Sequence, residues 1–341
     1  MDFDLLRAKG IVFGDKRAQF LPNAKDKLKI AMDEAIPMIT NANSTVPEMF
    51  ATYIDPEIIE IITAPRTATE VFKEAKLAAW TDKRTAFQLS ENVGHSEAYS
   101  DFGKGTGVDV NTEFYQRDVY RFQAFMQCGD LEQETAALVK INLLSRKQQA
   151  ATTVLSLDRN EMNLRGVAGK AIYGLLNDPN LPSALSPATV NGKTGWTQKG
   201  ALGVYNDILT MFNSIAKATA GLVKFDTPMV LCIPPSVNSA LLQATDLGVA
   251  PALQLIQSYL KNVRVVLIPQ LEDEGVAKAL LIAEEVAGQK VAQFGVADVL
   301  RTSRVVQDYT SVSQKWMSST TGAMIYRPMA FASMTGIQTT A

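Results

Sequence analysis

The sequence is poor in the residues that build most catalytic and metal sites. Its 341 residues include one histidine, His95, and two cysteines, Cys128 and Cys232, which lie far apart in apolar runs. It contains no Cys-x-x-Cys pair and no cluster of histidine with cysteine. This inventory argues against a zinc site and against acid–base catalysis by histidine. We expect both cysteines to be buried free thiols.

The sequence also lacks an excess of charge and a long apolar run. Lys and Arg total 33 against 35 Asp and Glu, whereas a protein that grips nucleic acid as its main task normally carries a basic excess. We therefore expect only weak, nonspecific contact with DNA. No apolar run approaches the ~20 residues that span a bilayer, and the acidic start MDFDLLRAKG has no signal-peptide pattern. These features predict a protein made and kept in the cytoplasm, without a membrane partner.

Three short motifs resemble enzyme signatures but lack essential parts. Asn191–Thr194 resembles the end of a phosphate-binding loop, but Pro187 stands where that motif needs its first glycine. The glycine-rich stretch Phe102–Gly107 lies at the tip of a predicted hairpin, with no apolar parallel strand before it and no helix after it. Ser236 lacks the Gly-x-Ser-x-Gly elbow of a nucleophilic serine. We therefore expect a protein that is not an enzyme and uses no cofactor or metal.

The first part of the chain, residues 1–75, has the composition of an arm. Short helical patterns at Asp26–Met38 and Thr67–Leu77 are separated by polar, turn-rich sequence. Between them lies the apolar segment Tyr53–Ile62, which has no obvious local partner. Such a segment normally packs on something, either the main body or a neighbouring chain.

A long hairpin is predicted next. Asp82–Val93 and Glu113–Gln127 have the composition and alternation of strands, and Gly94–Asn111 connects them with Gly, Ser and Asp. An isolated two-stranded hairpin is marginally stable in water. Because this one is long and polar at its tip, we expect it to need a partner.

A long helix follows the hairpin. Asp130 is a suitable N-cap, and Arg165 with Gly166 forms a suitable C-terminal end. An unbroken helix over 131–165 would be about 50 Å long, with a bend as an alternative at Ala151–Thr153. Its apolar stripe is predicted to comprise Ala137, Ile141, Leu144, Ala151, Leu155 and Met162.

From Gly174 onward the sequence is typical of a compact α/β body. The final stretch, Val305–Ile337, alternates like strands that return to an earlier sheet, with Trp316, Tyr326 and Phe331 as large anchors. The predicted helices are Thr197–Ala220, a short one ending at Leu242, and Pro251–Leu260, and the predicted strands are Pro228–Ile233, Val263–Ile268 and Ala277–Ala283.

The order of these parts resembles the Hong Kong 97-like capsid fold, which tailed-phage major capsid proteins and encapsulin nanocompartments share. Gly174–Pro179 (GLLNDP) resembles the passage by which such proteins leave the spine helix for the apical domain. Thr227–Pro235 resembles the family's strand that ends in proline before a helix, and Tyr326–Phe331 resembles its closing strand. The resemblance covers roughly residues 45 to 338.

The resemblance implies an α+β protein with five parts. These are an N-terminal arm at 1–75, an E-loop hairpin at 76–128, the long spine helix of a peripheral domain at 129–173, an apical α/β domain at 174–300, and return strands of the peripheral domain with the C-terminus at 301–341.

It also implies a major capsid protein that assembles with itself, as hexamers and pentamers, into the icosahedral head shell around the double-stranded DNA of a tailed phage. The implied location is the virion, after assembly in the cytoplasm of the bacterial host. Because no long coiled-coil sequence precedes the arm, we expect a separate scaffolding protein, a portal protein and, as a further partner class, decoration proteins. Two alternatives stay open: an encapsulin-like compartment that encloses cargo enzymes, and a soluble α/β enzyme.

Charged residues of the hairpin are the candidates for contacts between subunits. Each exposed pair contributes on the order of 0–1 kcal/mol, so many such contacts would act together to set the register between neighbours. The candidates are Lys83, Arg84, Asp101, Lys104, Arg117, Asp118 and Arg121.

Overall fold

The computed structural model describes residues 65–338, apart from residues 100, 102, 104, 139–140, 244–250 and 274. The helix predicted at Asp26–Met38 and the apolar segment Tyr53–Ile62 lie outside the described residues. The described α-helices are α1 (Ala68–Val71), α2 (Asp130–Leu138), α3 (Leu143–Arg165), α4 (Trp196–Ala218), α5 (Asn238–Leu242) and α6 (Ala252–Tyr259). The described strands are β1 (Glu74–Lys76), β2 (Arg84–Val93), β3 (Asp109–Asp118), β4 (Tyr120–Gly129), β5 (Met229–Ile233), β6 (Val263–Leu267), β7 (Glu272–Asp273), β8 (Val276–Ala283), β9 (Glu285–Val286), β10 (Gln289–Lys290), β11 (Ala292–Val296), β12 (Arg301–Thr302), β13 (Val306–Gln307), β14 (Ser311–Thr320), β15 (Gly322–Ile325) and β16 (Phe331–Thr335).

The main core lies between one mixed sheet and helix α4. The sheet has the strand order β16-β8-β5-β6, with β5 and β6 parallel and β8 antiparallel to both β5 and β16. All five residues of β5 are buried, as expected for an uninterrupted apolar strand that is covered on both faces. Helix α4 contributes Ile208, Met211 and Ile215 to the same core.

A second sheet carries helix α3 on its surface. Strands β4 and β14 pair in antiparallel register over ten residues, from Tyr120 opposite Thr320 to Gly129 opposite Ser311. The short strands β12 and β13 pair with β14 along its other edge. Helix α3 packs on β4 and β14.

The predicted helix Thr67–Leu77 is wrong in its second half. Helix α1 ends at Val71, and residues Glu74–Lys76 form β1, which pairs in parallel with β11. The change occurs at Phe72, whose backbone is extended and whose ring lies edge-on to Phe294, with centroids 6.1 Å apart. Tertiary packing of this ring overrides the local helical pattern.

The predicted second hairpin strand, Glu113–Gln127, is two strands. The break is at Val119, whose side chain is buried and whose N–H donates to the carbonyl of Lys83 at 2.9 Å. Strand β3 before the break belongs to the hairpin, whereas β4 after it joins the sheet of β14. The alternating pattern continues through Val119, so it gave no sign of a change of partner.

The predicted long helix is interrupted before Leu143 rather than at Ala151–Thr153. The side chain of Asn142 accepts a hydrogen bond from the N–H of Ser145 at 3.1 Å and so starts a new helix. The predicted stripe is buried at Ala151 and Leu155 in α3, but no residue of α2 is buried. The end of the helix at Arg165, with Gly166 as the cap, is confirmed.

The helices and strands predicted between Thr197 and Ala283 are confirmed to within two residues at each end. The boundary proposed at residue 300 does not follow the sheets, because β16 pairs with β8. The acidic residues Glu272 and Asp273 form β7 beside β8.

Both cysteines are free and buried, as predicted. Burial raises the pKa of the Cys232 thiol to about 12. Because its pKa lies well above neutrality, this sulfur stays protonated and unreactive at pH 8.

We expect a thiol reagent at pH 8 to leave the native chain unmodified and to titrate two thiols after unfolding in denaturant. Rapid labelling of the native chain would contradict this prediction.

Gly174 stands at a close crossing of two backbone segments. A Cβ atom added there would overlap the backbone carbonyl of Leu164 at the end of α3. The N–H groups of Leu175 and Leu176 donate to the carbonyls of Asn163 and Leu164 at 3.0 and 2.9 Å, which fixes this approach. Only glycine fits, so the exit from α3 depends on this position.

We expect Gly174→Ala to lower the free energy of unfolding by roughly 1–3 kcal/mol, because the new methyl group must displace backbone. Thermal unfolding of the unassembled subunit, followed by circular dichroism, measures the effect. Gly107→Ala is the control, since a Cβ at Gly107 meets nothing within 4 Å. Equal stability of the two variants would contradict the prediction.

Candidate assembly surfaces

The hairpin formed by β2 and β3 has no core of its own. Its ten pairs run from Arg84 opposite Asp118 to Val93 opposite Asp109, a length of about 34 Å. Residues Gln88–Val93 and Asp109–Gln116 are exposed at every position. We call residues 88–116 the outer hairpin. Both faces of its two strands are therefore open to solvent in the single chain.

Several exposed residues of the outer hairpin are apolar. Phe114 is 63% exposed and Val108 79%. The others are Leu89, Val93, Tyr99, Val110 and Tyr115. Exposed apolar side chains gathered on one projecting element indicate a surface that another protein chain covers.

The base of the hairpin is held by a buried ion pair. Nη2 of Arg117 lies 2.7 Å from Oδ2 of Asp178, and the two side chains are only 9% and 1% exposed. The guanidinium of Arg117 also lies over the ring of Tyr173, 4.7 Å from its centroid. Asp178 accepts a further hydrogen bond from the N–H of Asn180 at 3.0 Å. The carboxylate therefore ties β3 to the segment that follows α3.

Aromatic rings pack on the same face of the hairpin base, since Tyr115 and Arg117 are two residues apart on β3. Phe87 on β2 stacks on Tyr115 on β3, with centroids 5.8 Å apart. The rings of Phe87 and Tyr326 are nearly perpendicular, with centroids 5.3 Å apart. The predicted anchor Tyr326 thus helps to set the direction of the hairpin.

A second arginine cluster lies beside the hairpin. Arg121 on β4 donates from Nε to the carbonyl of Trp80 at 2.7 Å and from Nη2 to the carbonyl of Asp82. The guanidinium groups of Arg121 and Arg301 both lie over the Trp80 ring, at 5.6 and 5.3 Å. Cation–π contacts of this kind hold the segment that leads into β2.

The seven predicted contact residues fall into two groups. The first group comprises Arg84, Arg117, Asp118 and Arg121, which make contacts within the chain at the hairpin base. The structure corrects the prediction for Arg117, because its side chain is buried against Asp178 and does not face a neighbour. Lys83, beside the base, and Asp101, at the tip, are exposed. Lys104 lies outside the described residues.

Sequence reasoning missed Asp178 and the groove beside α3. Asp178 belongs to the string that carried the family resemblance, but nothing in the string indicated a buried ion pair. A shallow groove of 460 Å³ lies between β4 and α3, and its apolar wall includes Phe125, Ala151 and Val154. Phe125 is 61% exposed and Val154 49%.

Asn191–Thr194 forms a tight turn. The backbone groups of Val190 and Lys193 hydrogen-bond to each other at 2.9 and 3.0 Å, and Asn191 and Gly192 both have positive φ.

The buried charges of the main body form a structural tie. Lys199 donates to Asp207 at 2.6 Å, and Asp207 also accepts from the indole of Trp196 and the N–H of Ala188. These donors satisfy the carboxylate and fix the loop before α4.

Among the described residues, no group of three or more His, Cys, Asp or Glu is placed to hold a metal ion. None of the described helices is long and apolar enough to cross a membrane.

Comparisons with known proteins place this architecture among phage capsids. A model of the Pa193 gp26 major capsid protein family matches residues 37–336. The capsid of Myoviridae phage XM1 superposes with a TM-score of 0.71 at 13% identity, covering 86% of this chain and 99% of that one. A search of curated proteins found no match.

Two further capsids have the same fold at lower similarity. The capsid of the native GTA particle has a TM-score of 0.57 at 8% identity, covering 83% of this chain and 94% of that one. The capsid of cyanophage P-SCSP1u has a TM-score of 0.53 at 10% identity, covering 89% and 98%. At such low identities the likeness shows the fold alone, and it confirms the predicted Hong Kong 97-like fold.

We expect Arg117→Gln and Asp178→Asn each to cost about 3–5 kcal/mol of folding stability, because each leaves a buried charge without its partner. The double variant should lose less than the sum of the two. Denaturant unfolding of the unassembled subunit measures these values, and proteolysis within 84–118 reports loosening of the hairpin.

Arg84→Gln is the matched control for this cycle. It removes the exposed pair with Asp118, whose side chains are 67% and 31% exposed, and should cost about 0–1 kcal/mol. If Arg117→Gln were no more harmful than Arg84→Gln, the buried pair would not hold the hairpin.

Proposed function

The chain belongs to the Pa193 gp26 major capsid protein family, and from that premise we propose that many copies of it form an icosahedral phage head around double-stranded DNA. It is a structural subunit of a capsid shell and not an enzyme. The proposal adds that the copies associate as hexamers and pentamers. The family match favours a phage shell over an encapsulin-like compartment.

The proposal is carried by the outer hairpin, which is exposed on both faces and directed outward from a fixed base. An element of this kind buries its apolar side chains only against another chain. When each copy contacts the next in this way, the contact is heterologous, and such contacts form closed rings when the rotation closes. Many weak contacts then act together in one shell.

The two groups of charged residues have separate roles in this proposal. Arg84, Arg117, Asp118 and Arg121 orient the hairpin from its base. Lys83, Asp101 and Lys104 contact neighbouring copies. The five-part division, at 1–75, 76–128, 129–173, 174–300 and 301–341, stands as part of the proposal, except that β16 joins the sheet of the apical domain.

Scaffolding and portal proteins complete the proposed assembly, with decoration proteins as a further class and assembly in the cytoplasm of the bacterial host. Contact with packaged DNA is weak and nonspecific in this proposal. The chain's charges nearly cancel, at 33 basic against 35 acidic residues, which supports this view. An inner wall that bound DNA strongly would hinder packaging and release.

Shortening the hairpin tests the proposal. We expect a chain that lacks residues 90–112, with Leu89 and Glu113 joined by Asn-Gly, to fold normally and to form no shells. The Asn-Gly turn matches the pairing of Leu89 with Glu113, so the base stays intact. Negative-stain electron microscopy of the overexpressed proteins gives the result, and circular dichroism checks folding.

The control is the full-length chain, which should give spheres, tubes or rings of subunits. Normal particles from the shortened chain would refute the role of the outer hairpin. A full-length chain that stays a monomer at all concentrations would refute the proposed shell itself.

A further inference from the structure

Helix α4 is broken near its start. At Gly200 the backbone has φ 73° and ψ 169°, whereas the rest of Trp196–Ala218 is helical. A Cβ atom added at Gly200 would meet nothing within 4 Å. The glycine is therefore required by its positive φ and not by crowding. We call residues Trp196–Lys199, which precede the break, the first turn of α4.

The break brings the first turn back onto the helix. The indole N–H of Trp196 and the ammonium group of Lys199 both donate to Oδ2 of Asp207, at 2.9 and 2.6 Å. In a continuous helix Trp196 and Asp207 would lie about 16 Å apart along the axis, because they are eleven residues apart in the sequence. Two side chains cannot share one hydrogen bond over that distance. The bond from Trp196 therefore requires the break at Gly200.

A second glycine lets Lys199 reach the same carboxylate. A Cβ atom added at Gly203 would lie 2.8 Å from the Cβ of Lys199, so the lysine side chain lies directly against this glycine. Asp207 follows Gly203 by one helical turn. The side chains of Lys199 and Asp207 are 0% and 1% exposed, and Trp196 is fully buried. Both glycines thus allow contacts that converge on Asp207.

The first turn also contacts distant parts of the main body. The backbone N–H of Trp196 donates to the carbonyl of Ile337 at 3.0 Å. The side chain of Gln243, just after α5, donates to the carbonyl of Thr197 at 2.8 Å. An unbroken α4 would carry the first turn away from both partners. A change at Gly200 would therefore alter the packing at two other places in the body.

The arrangement can open through a change at one residue. Glycine adopts helical and positive φ about equally readily, so α4 becomes continuous when Gly200 alone turns helical. The ion pair resists this change only weakly, because Lys199 and Asp207 return to water when they separate. The indole of Trp196 resists it more, because its large apolar surface loses its cover. The closed arrangement is therefore the form of the single chain, and a contact with a neighbour can favour the open one.

We propose that Asp207 is the latch of a two-state element. In the closed form it binds Trp196 and Lys199 and holds α4 broken, and in the open form it releases them and α4 is continuous. Neighbouring copies meet at different rotations in pentamers and in hexamers, and the two forms fit one chain to both rings. This inference rests on the proposed function, since it names the element that adapts the subunit to each ring.

A lysine reagent reports the state of the latch. In the unassembled chain, a brief pulse of acetic anhydride at neutral pH should modify the exposed Lys217 and spare the buried Lys199, as measured by mass spectrometry of proteolytic peptides. Gly200→Ala should speed the modification of Lys199 by about tenfold, because alanine disfavours this backbone conformation and the open form gains population. Asp207→Asn should act in the same direction, because it removes the charge that holds Lys199.

Gly221→Ala is the matched control. Gly221 follows α4, has φ 81° and, like Gly200, has open space where a Cβ atom would lie. Its replacement should lower stability to a similar extent without changing the modification of Lys199, and circular dichroism checks that each variant is folded. Equal modification of Lys199 in Gly200→Ala and Gly221→Ala would overturn the latch.

Assembled particles test the link between the latch and the ring type. In shells of the unchanged chain, the same pulse should modify part of the Lys199 and spare the rest, because both forms are present. Gly200→Ala should give tubes, sheets or small spheres in negative-stain electron microscopy, because the open form predominates and one ring type is lost. Shells of normal diameter are expected from Gly221→Ala.

Two results would show that the inference is wrong while the shell function stands. One is complete protection of Lys199 in shells of the unchanged chain, and the other is normal shells from Gly200→Ala. If the unchanged chain forms no particles at all, both the function and the inference fail.

Discussion

The buried ion pair between Arg117 and Asp178 is the interaction on which the outward reach of the hairpin depends. A hairpin of ten residue pairs without a core cannot fix its own orientation. Its orientation must therefore be set where its strands leave the body. Arg117 is bound there by a carboxylate and an aromatic face, and Phe87, on the same face of the hairpin, packs on Tyr326. A buried charge pair is costly to break from one side. The hairpin is therefore oriented before any neighbour arrives.

The two sheets divide the work of the molecule. The sheet around β5, covered by α4, supplies most of the apolar core and needs no second chain. The sheet of β4 and β14, with α3 on it, keeps Phe125 and Val154 exposed. Stability of the single chain and readiness to associate thus come from separate surfaces. This separation lets one region hold its shape while the other stays available for contact.

Much of the fold was predictable because its signals are local. The buried strand at Met229–Ile233 is one apolar run between prolines and turns, and the end of α3 at Gly166 is a standard cap. The misses share one cause, which is that partners distant in sequence decide the outcome. Val119 separates two strands because β4 finds β14, and Phe72 ends α1 because Phe294 lies against it. The role of Arg117 was missed for the same reason, since Asp178 lies 61 residues away.

The place of β16 bears on when the subunit becomes complete. This strand borders β8, and β8 in turn borders β5. Strand β5 lies about a hundred residues before β16 in the sequence. During synthesis the central sheet therefore lacks one edge until residue 335 has left the ribosome. Contacts so distant in sequence form late and slowly. A nascent chain therefore carries its hairpin before the last strand of its central sheet is available to pair.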